Sequence, residues 1–332
     1  RDVVLADRGA AVLTVGENRG SGDYVPVLTE ALLRGDFVEH GGDVRVTALG
    51  AVRGVALPVL PDWIGRMGGL NTQLGDTVPT AWAIKSQDFL TGVGALGGGA
   101  VRITSGGDVS NLVVAAPTNG KPVLNDDGSF GVDIAGGGDI ELNVGGSLRS
   151  GVLMVGGGSA RVRVGSDVAK AGNSTLGTVI ELGDGRLDLA ARGSVRIESV
   201  FDPFMTPVSP NQGDPALGIT SAVFFAGYTT ASAVSLSALS GNVTLAQSDR
   251  GVRAAYDDRS FDTGEILALG LAPATVQAVA HRGDVVLENN LLLAPAPRGQ
   301  LDLLANGSLV TTSVETLIRL LDTPDGLLPT PQ

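Results

Sequence analysis

Gly138-Asp139-Ile140-Glu141-Leu142-Asn143-Val144-Gly145-Gly146 is the stretch on which the reading of this chain turns. Apolar and polar residues alternate with period two between glycines. Ile140, Leu142 and Val144 therefore face one way, and Glu141 and Asn143 the other. Such a strand is too short to stand alone. The unit recurs as Gly42-Asp43-Val44-Arg45-Val46-Thr47, Asp184-Gly185-Arg186-Leu187-Asp188-Leu189, Ser240-Gly241-Asn242-Val243-Thr244-Leu245 and Arg282-Gly283-Asp284-Val285-Val286-Leu287. Four units place a second Gly eight residues after the first, as from Gly99 to Gly107 and from Gly185 to Gly193, and a further short strand follows it. From Gly138 to Gly158 the chain returns to the start of a new unit. Repeats of about 20 residues have the size of solenoid units, which bury their apolar faces only against neighbours.

Composition agrees. The 332 residues include 49 Gly against 16 Pro, and aromatics make up only 4%, so long helices are disfavoured and short strands joined by Gly corners are expected. The Gly residues follow no three-residue period, which excludes collagen. The expected fold is all-β, a parallel β-helix running over residues 1–332 as one elongated segment. About ten circuits spaced about 4.8 Å apart reach about 50 Å. A propeller calls for repeats of about 40 residues, and a sandwich for longer strands. Ile140, Leu142, Val144, Val162, Val164, Leu187, Leu189, Val195, Ile197, Val243, Leu245, Leu301 and Leu303 are expected inside. Glu141, Arg163, Asp188 and Arg196 are expected outside. Gly-Asp, Gly-Asn and Gly-Ser corners are expected to supply positive φ or a side-chain-to-backbone bond.

The formal net charge is -12, without a run of Lys or Arg, which argues against nucleic acid and anionic membrane surfaces as partners. There is no Cys, which removes disulfide scaffolds, zinc ribbons, thiol nucleophiles and iron–sulfur ligation. No apolar run is long enough to predict a transmembrane helix. The chain opens Arg1-Asp2-Val3-Val4 and reads as a piece of a longer protein.

Three segments interrupt the repeat: 53–92, 117–131 and 201–230. Both Trp and most of the Phe and Tyr residues fall in them. Insertions on a solenoid project from its edges and often carry function. Trp63, Trp82, Phe204, Phe224, Phe225 and Tyr228 are the candidate binding residues, because flat apolar faces with polar edges suit sugar rings and protein partners. The competing reading is that these aromatics only anchor the insertions to the wall. Val314, Leu317, Ile318 and Leu321 have helical spacing and predict a short C-terminal helix.

The remaining motifs read as structure. Arg34-Gly35-Asp36 and Arg282-Gly283-Asp284 have the form of receptor-read triplets, but Gly-Asp is also the corner of the repeat. Gly136-Gly137-Gly138-Asp139 lacks the nine-residue tandem of a calcium-binding β-roll. The elements of polygalacturonase-like enzymes are incomplete: Asp126-Asp127 follows Asn125, His40 follows Glu39, and Lys is limited to Lys85, Lys121 and Lys170. Neither catalytic, cofactor nor metal residues are assigned, and a polysaccharide-processing β-helix enzyme is the alternative function.

The Gly-Asp-strand-Gly-Ser-strand grammar resembles the filamentous-haemagglutinin-like exoproteins of Gram-negative two-partner secretion systems. Leu291-Leu292-Leu293-Ala294-Pro295-Ala296-Pro297-Arg298-Gly299-Gln300-Leu301-Asp302-Leu303-Leu304-Ala305-Asn306-Gly307-Ser308-Leu309 looks like a signature of one module in those proteins. Leu33-Arg34-Gly35-Asp36-Phe37-Val38 and Ala231-Ser232-Ala233-Val234-Ser235-Leu236 agree in order. The resemblance implies a right-handed β-helix in a secreted or surface-tethered adhesin, exported through an outer-membrane partner pore. Glycans or cell-surface receptors are the partners it suggests. It carries over no catalytic residue, and the lack of Cys suits export of an unfolded chain.

Overall fold

The computed structural model describes residues 1–20, 22, 33–56, 63–67, 80–205, 225–248, 270–313 and 316–320. The described residues are all-β apart from single helical turns such as Ser86–Asp88, and the main sheet consists of parallel ladders of strands. The first ladder stacks Val44–Ala48, Val101–Ser105, Ile140–Val144, the ends of Leu148–Val164 and Thr178–Ala191, then Ala233–Ala238, Thr275–Ala280 and Gln300–Ala305. Its register keeps Val46, Ile103, Leu142, Val162, Leu189, Leu236, Ala278 and Leu303 in one column. The second ladder begins at Val3–Val4, passes through Val52–Arg53 and Val109, and ends at Leu309–Thr311. The third runs from Ala11–Thr14 through Gly92–Ala95, Val113, Val152 and Val179 to Phe201.

Alternation explains which side chains meet inside. The inward residues of all three ladders join one apolar core, from Leu5 to Leu293. Ile140, Leu142, Val144, Val162, Val164, Leu187, Leu189, Val195, Ile197, Val243 and Leu245 are buried as expected. Glu141 and Asp188 are exposed, and Arg163 and Arg196 half-buried. Leu301 and Leu303 are only half-buried, because Gln300–Ala305 is the last strand of its ladder among the described residues.

The corners carry the expected side-chain-to-backbone bonds, but these run between layers. Each corner Asp spans to the following layer of strands rather than closing its own turn. The amide N–H of Ala51 donates to Asp2 Oδ1 at 2.9 Å, that of Ala100 to Asp43 at 2.8 Å, that of Ser147 to Asp108 at 2.8 Å and that of Ser194 to Asp167 at 2.7 Å. In three of these the Arg two residues later completes the clamp: Arg53 with Asp2, Arg102 with Asp43 and Arg149 with Asp108. These bonds, led by the amide donor, hold the Asp2, Asp43 and Asp108 carboxyls below the usual carboxylate range. At three of these corners, Gly50, Gly146 and Gly193, glycine precedes the donor because the carboxylate lies directly over it, while Gly99 has a positive φ of 99°. A Cβ on Gly146 meets Asp108 Oδ1 at 2.2 Å, and one on Gly193 meets Asp167 Oδ1 at 2.1 Å. Close approach, not positive φ, demands glycine there.

The described parts of the insertions pack against the ladders. Parts of 53–92 and 117–131 combine in an antiparallel sheet of Ile64–Met67, Ala81–Ile84, Thr118–Leu124 and Phe130–Gly136. The physical reason is the third ladder, whose outer face carries Val113, Ala115, Val152, Met154, Val179 and Phe201 and packs with the insertions in a second core. Arg19 ties the N-terminal segment to this sheet through Asp133 and the Asn119 side chain, both at 2.8 Å. The expected C-terminal helix is also corrected. Ile318–Leu320 is a strand, parallel to Leu291–Leu293. An open strand edge offers backbone partners at once, whereas a short helix must first nucleate. Val314 and Leu321 lie outside the described residues.

Candidate functional site

The aromatic residues singled out in the sequence converge, but inward. Trp82 lies 5.3 Å from Phe204 and 5.1 Å from Phe225, and those two rings stack at 5.4 Å. Trp63 meets Phe89 edge-on at 5.1 Å. Trp63, Trp82, Phe204 and Phe225 are each less than 5% exposed. Gly120 makes this possible, since a Cβ there would sit 2.2 Å from the Trp82 ring. These four rings therefore pack the insertions onto the third ladder instead of forming an aromatic surface open to solvent. Scarce aromatics mark the insertions because that small second core needs large rings to fill it. Phe224 lies outside the described residues. Tyr228 alone of the described candidates is half-buried, with its hydroxyl donating to the Leu271 carbonyl at 2.9 Å.

Behind Tyr228 sits a buried carboxylate that the sequence reading missed. Asp202 follows the strand Val195–Phe201 and is fully buried. Its carboxylate accepts the amide N–H of Phe204 at 2.9 Å, of Gly227 at 2.5 Å and of Tyr228 at 3.3 Å. It thereby joins the two ends of the 201–230 insertion. Arg66 on the strand Ile64–Met67 donates to the Pro203 carbonyl at 2.6 Å and supplies a positive charge nearby. Burial pushes the Asp202 carboxyl up to about 7, against the three amides and Arg66, which pull it down. Burial beside Asp202 likewise raises the Tyr228 phenol. No periodic pattern announces Asp202, because two of its three amide partners, Gly227 and Tyr228, lie at the far end of the insertion.

A cleft of about 170 Å³ opens next to this neck, between Met205, Tyr228 and Leu271 on one side and Ala294 to Pro297 on the other. Among the described residues it is a cleft large enough to receive a small ligand. The Arg-Gly-Asp triplets are engaged elsewhere. Asp36 exchanges backbone bonds with Ile84 and accepts from Asn18, while Asp284 accepts the Ser308 amide at a corner. Among the described residues no cluster of three or more acidic or His side chains is arranged to hold a metal ion. No helix among them is long and apolar enough to cross a membrane. No protein-family model, curated protein or solved structure matches this chain.

Proposed function

We propose that this chain is a structural and adhesive rod segment of a large secreted or cell-surface bacterial adhesin. In this reading the ladders form a right-handed parallel β-helix, exported through an outer-membrane partner pore of a two-partner system. One observation carries the reading. Equivalent positions of the first ladder stay in register although the chain between them differs greatly in length, from Ile140–Ala160 to Val44–Val101. Such a scaffold absorbs excursions of any size without disturbing its core, which is what a rod that presents insertions requires. The sequence resemblance to filamentous-haemagglutinin-like exoproteins points the same way.

The test is direct. The purified chain, applied to a glycan array and to cultured epithelial cells, is expected to bind saturably, and replacement of 206–224 by a short Gly-Ser linker, which leaves the core residues Phe201, Phe204 and Phe225 in place, is expected to reduce that binding. Small-angle scattering is expected to give an elongated particle. Scattering from a compact sphere would remove the rod. Turnover of an acidic polysaccharide without binding to cells or glycans would replace adhesion by the enzymatic alternative.

A further inference from the structure

The cleft beside Tyr228 is lined by short apolar side chains, Ala226, Ala274, Ala294 and Ala296, with Pro295 and Pro297 adding rigid apolar faces. Met205 and Leu271 belong to one apolar cluster with Ala226, and Tyr228 packs against it. No charged side chain among the described residues lines the cleft. An ion entering it would lose hydration without a counter-charge.

Polar capacity is also small. Tyr228, Thr229 and Thr230 supply the hydroxyls of the lining. The Tyr228 hydroxyl already donates to Leu271, and that of Thr229 to Asp184. A sugar ring, with a hydroxyl on most carbons, would leave several of them unpaired. Size sets the remaining limit, since an apolar cavity of about 150 Å³ suffices for benzene. We propose that this cleft is a binding site for a neutral, apolar single-ring ligand of about six to eight non-hydrogen atoms. Tyr228, whose amide is held on Asp202, forms one wall of it. The proposal goes beyond the adhesive reading and does not depend on it.

The probe is 4-methylphenol, titrated into the intact chain by calorimetry and saturation-transfer NMR. Saturable binding to a single site is expected. Ala226→Leu, which fills the floor, and Ala296→Leu, at the half-buried rim, are each expected to weaken it by about tenfold or more. The rim variant should keep the wild-type melting temperature, so its loss of binding cannot be ascribed to unfolding. Methyl α-glucoside and benzoate, the sugar and the charged-ring arms, are expected to show no saturable binding. Absence of 4-methylphenol binding overturns the site. Equal binding to wild type and Ala296→Leu moves it elsewhere and overturns it too, and preference for the glucoside or benzoate overturns the ligand class.

Discussion

The first and third ladders use the same parallel pairing and differ in what covers them. The first alternates, as in Val44-Arg45-Val46-Thr47-Ala48, and its burial follows the same alternation. The third reads as unbroken apolar runs, Leu112-Val113-Val114-Ala115-Ala116 and Val152-Leu153-Met154-Val155, buried along their whole length. A sheet wetted on one side needs one apolar face, while a sheet covered on both sides needs two. The insertions are the second cover. The difference teaches that these excursions are part of the structural core, so their removal exposes Val113, Val152, Met154 and Val179 along with whatever they bind.

The sharpest way to break this comparison is to place one charge on each outer face. Met154→Asp puts an unpaired carboxylate between two packed layers and is expected to cost about 5 kcal/mol, near the upper end for single substitutions. Thr104→Asp, on the exposed outer face of the first ladder, is expected to stay within about 0.5 kcal/mol. Urea denaturation followed by circular dichroism measures both. Equal effects would mean that the third ladder is not covered in solution.

The next largest effect concerns pH and comes from the insertion side alone. The folded Asp202 carboxyl titrates at about 7, above its ordinary 3.8. Between these values the native state holds a proton that the unfolded chain has lost, so stability falls as pH rises through the window and levels off above it. The total change is on the order of 4 kcal/mol. Asp202→Asn is expected to remove this slope. The lowered carboxyls of the ladder corners act in the opposite sense, since their contribution is lost as pH falls below 3.8. Urea midpoints taken from pH 3 to 9 should therefore peak near pH 4 to 5. A plateau from pH 5 to 8 in the wild type would show that Asp202 is ionised throughout.

Much of this contrast is legible in the sequence. The alternation of Ile140 to Val144 fixes which residues face inward, and the continuous run from Val152 to Val155 already implies a strand covered twice. What cannot be read is the identity of the cover. Trp82 meets Gly120 only because two insertions separated by the strands Gly92–Ala95, Val101–Ser105 and Val109–Ala116 share one sheet, and neither sequence is patterned for the other. The corner clamps are hidden for a related reason. Asp2 reaches Ala51, whereas Asp167 reaches Ser194, so the interval varies with whatever excursion lies between. The aromatic residues were visible, but aromatic content reports a need for large rings and not the direction in which they point.

Leu189→Ala tests the shared inner core and is expected to cost about 3 kcal/mol, since the layers above and below limit collapse around the void. Asp188→Ala, its exposed neighbour, loses only an ion pair with Arg163 whose two side chains are about half exposed, and should cost under about 0.5 kcal/mol. A ratio near one would show that the alternation does not set burial in this ladder.

The smallest expected effect asks what the corner Asp contributes, its charge or its hydrogen bond. Asp108 accepts the Ser147 amide at 2.8 Å and the Arg149 guanidinium at 3.1 Å. Asp108→Ala removes both and leaves the amide to find water, a loss of about 1 kcal/mol. Arg149→Ala removes only a half-exposed ion pair, worth under about 0.5 kcal/mol and screened by salt. The molecule carries its own control. Asn242 occupies an equivalent corner and accepts the Asp284 amide at 2.9 Å without a charge. Asp108→Asn should therefore keep most of the wild-type stability near neutral pH and lose its dependence on salt. If Asp108→Asn instead falls as far as Asp108→Ala, the clamp works by charge, and the difference between the two ladder faces extends to the corners that join their layers.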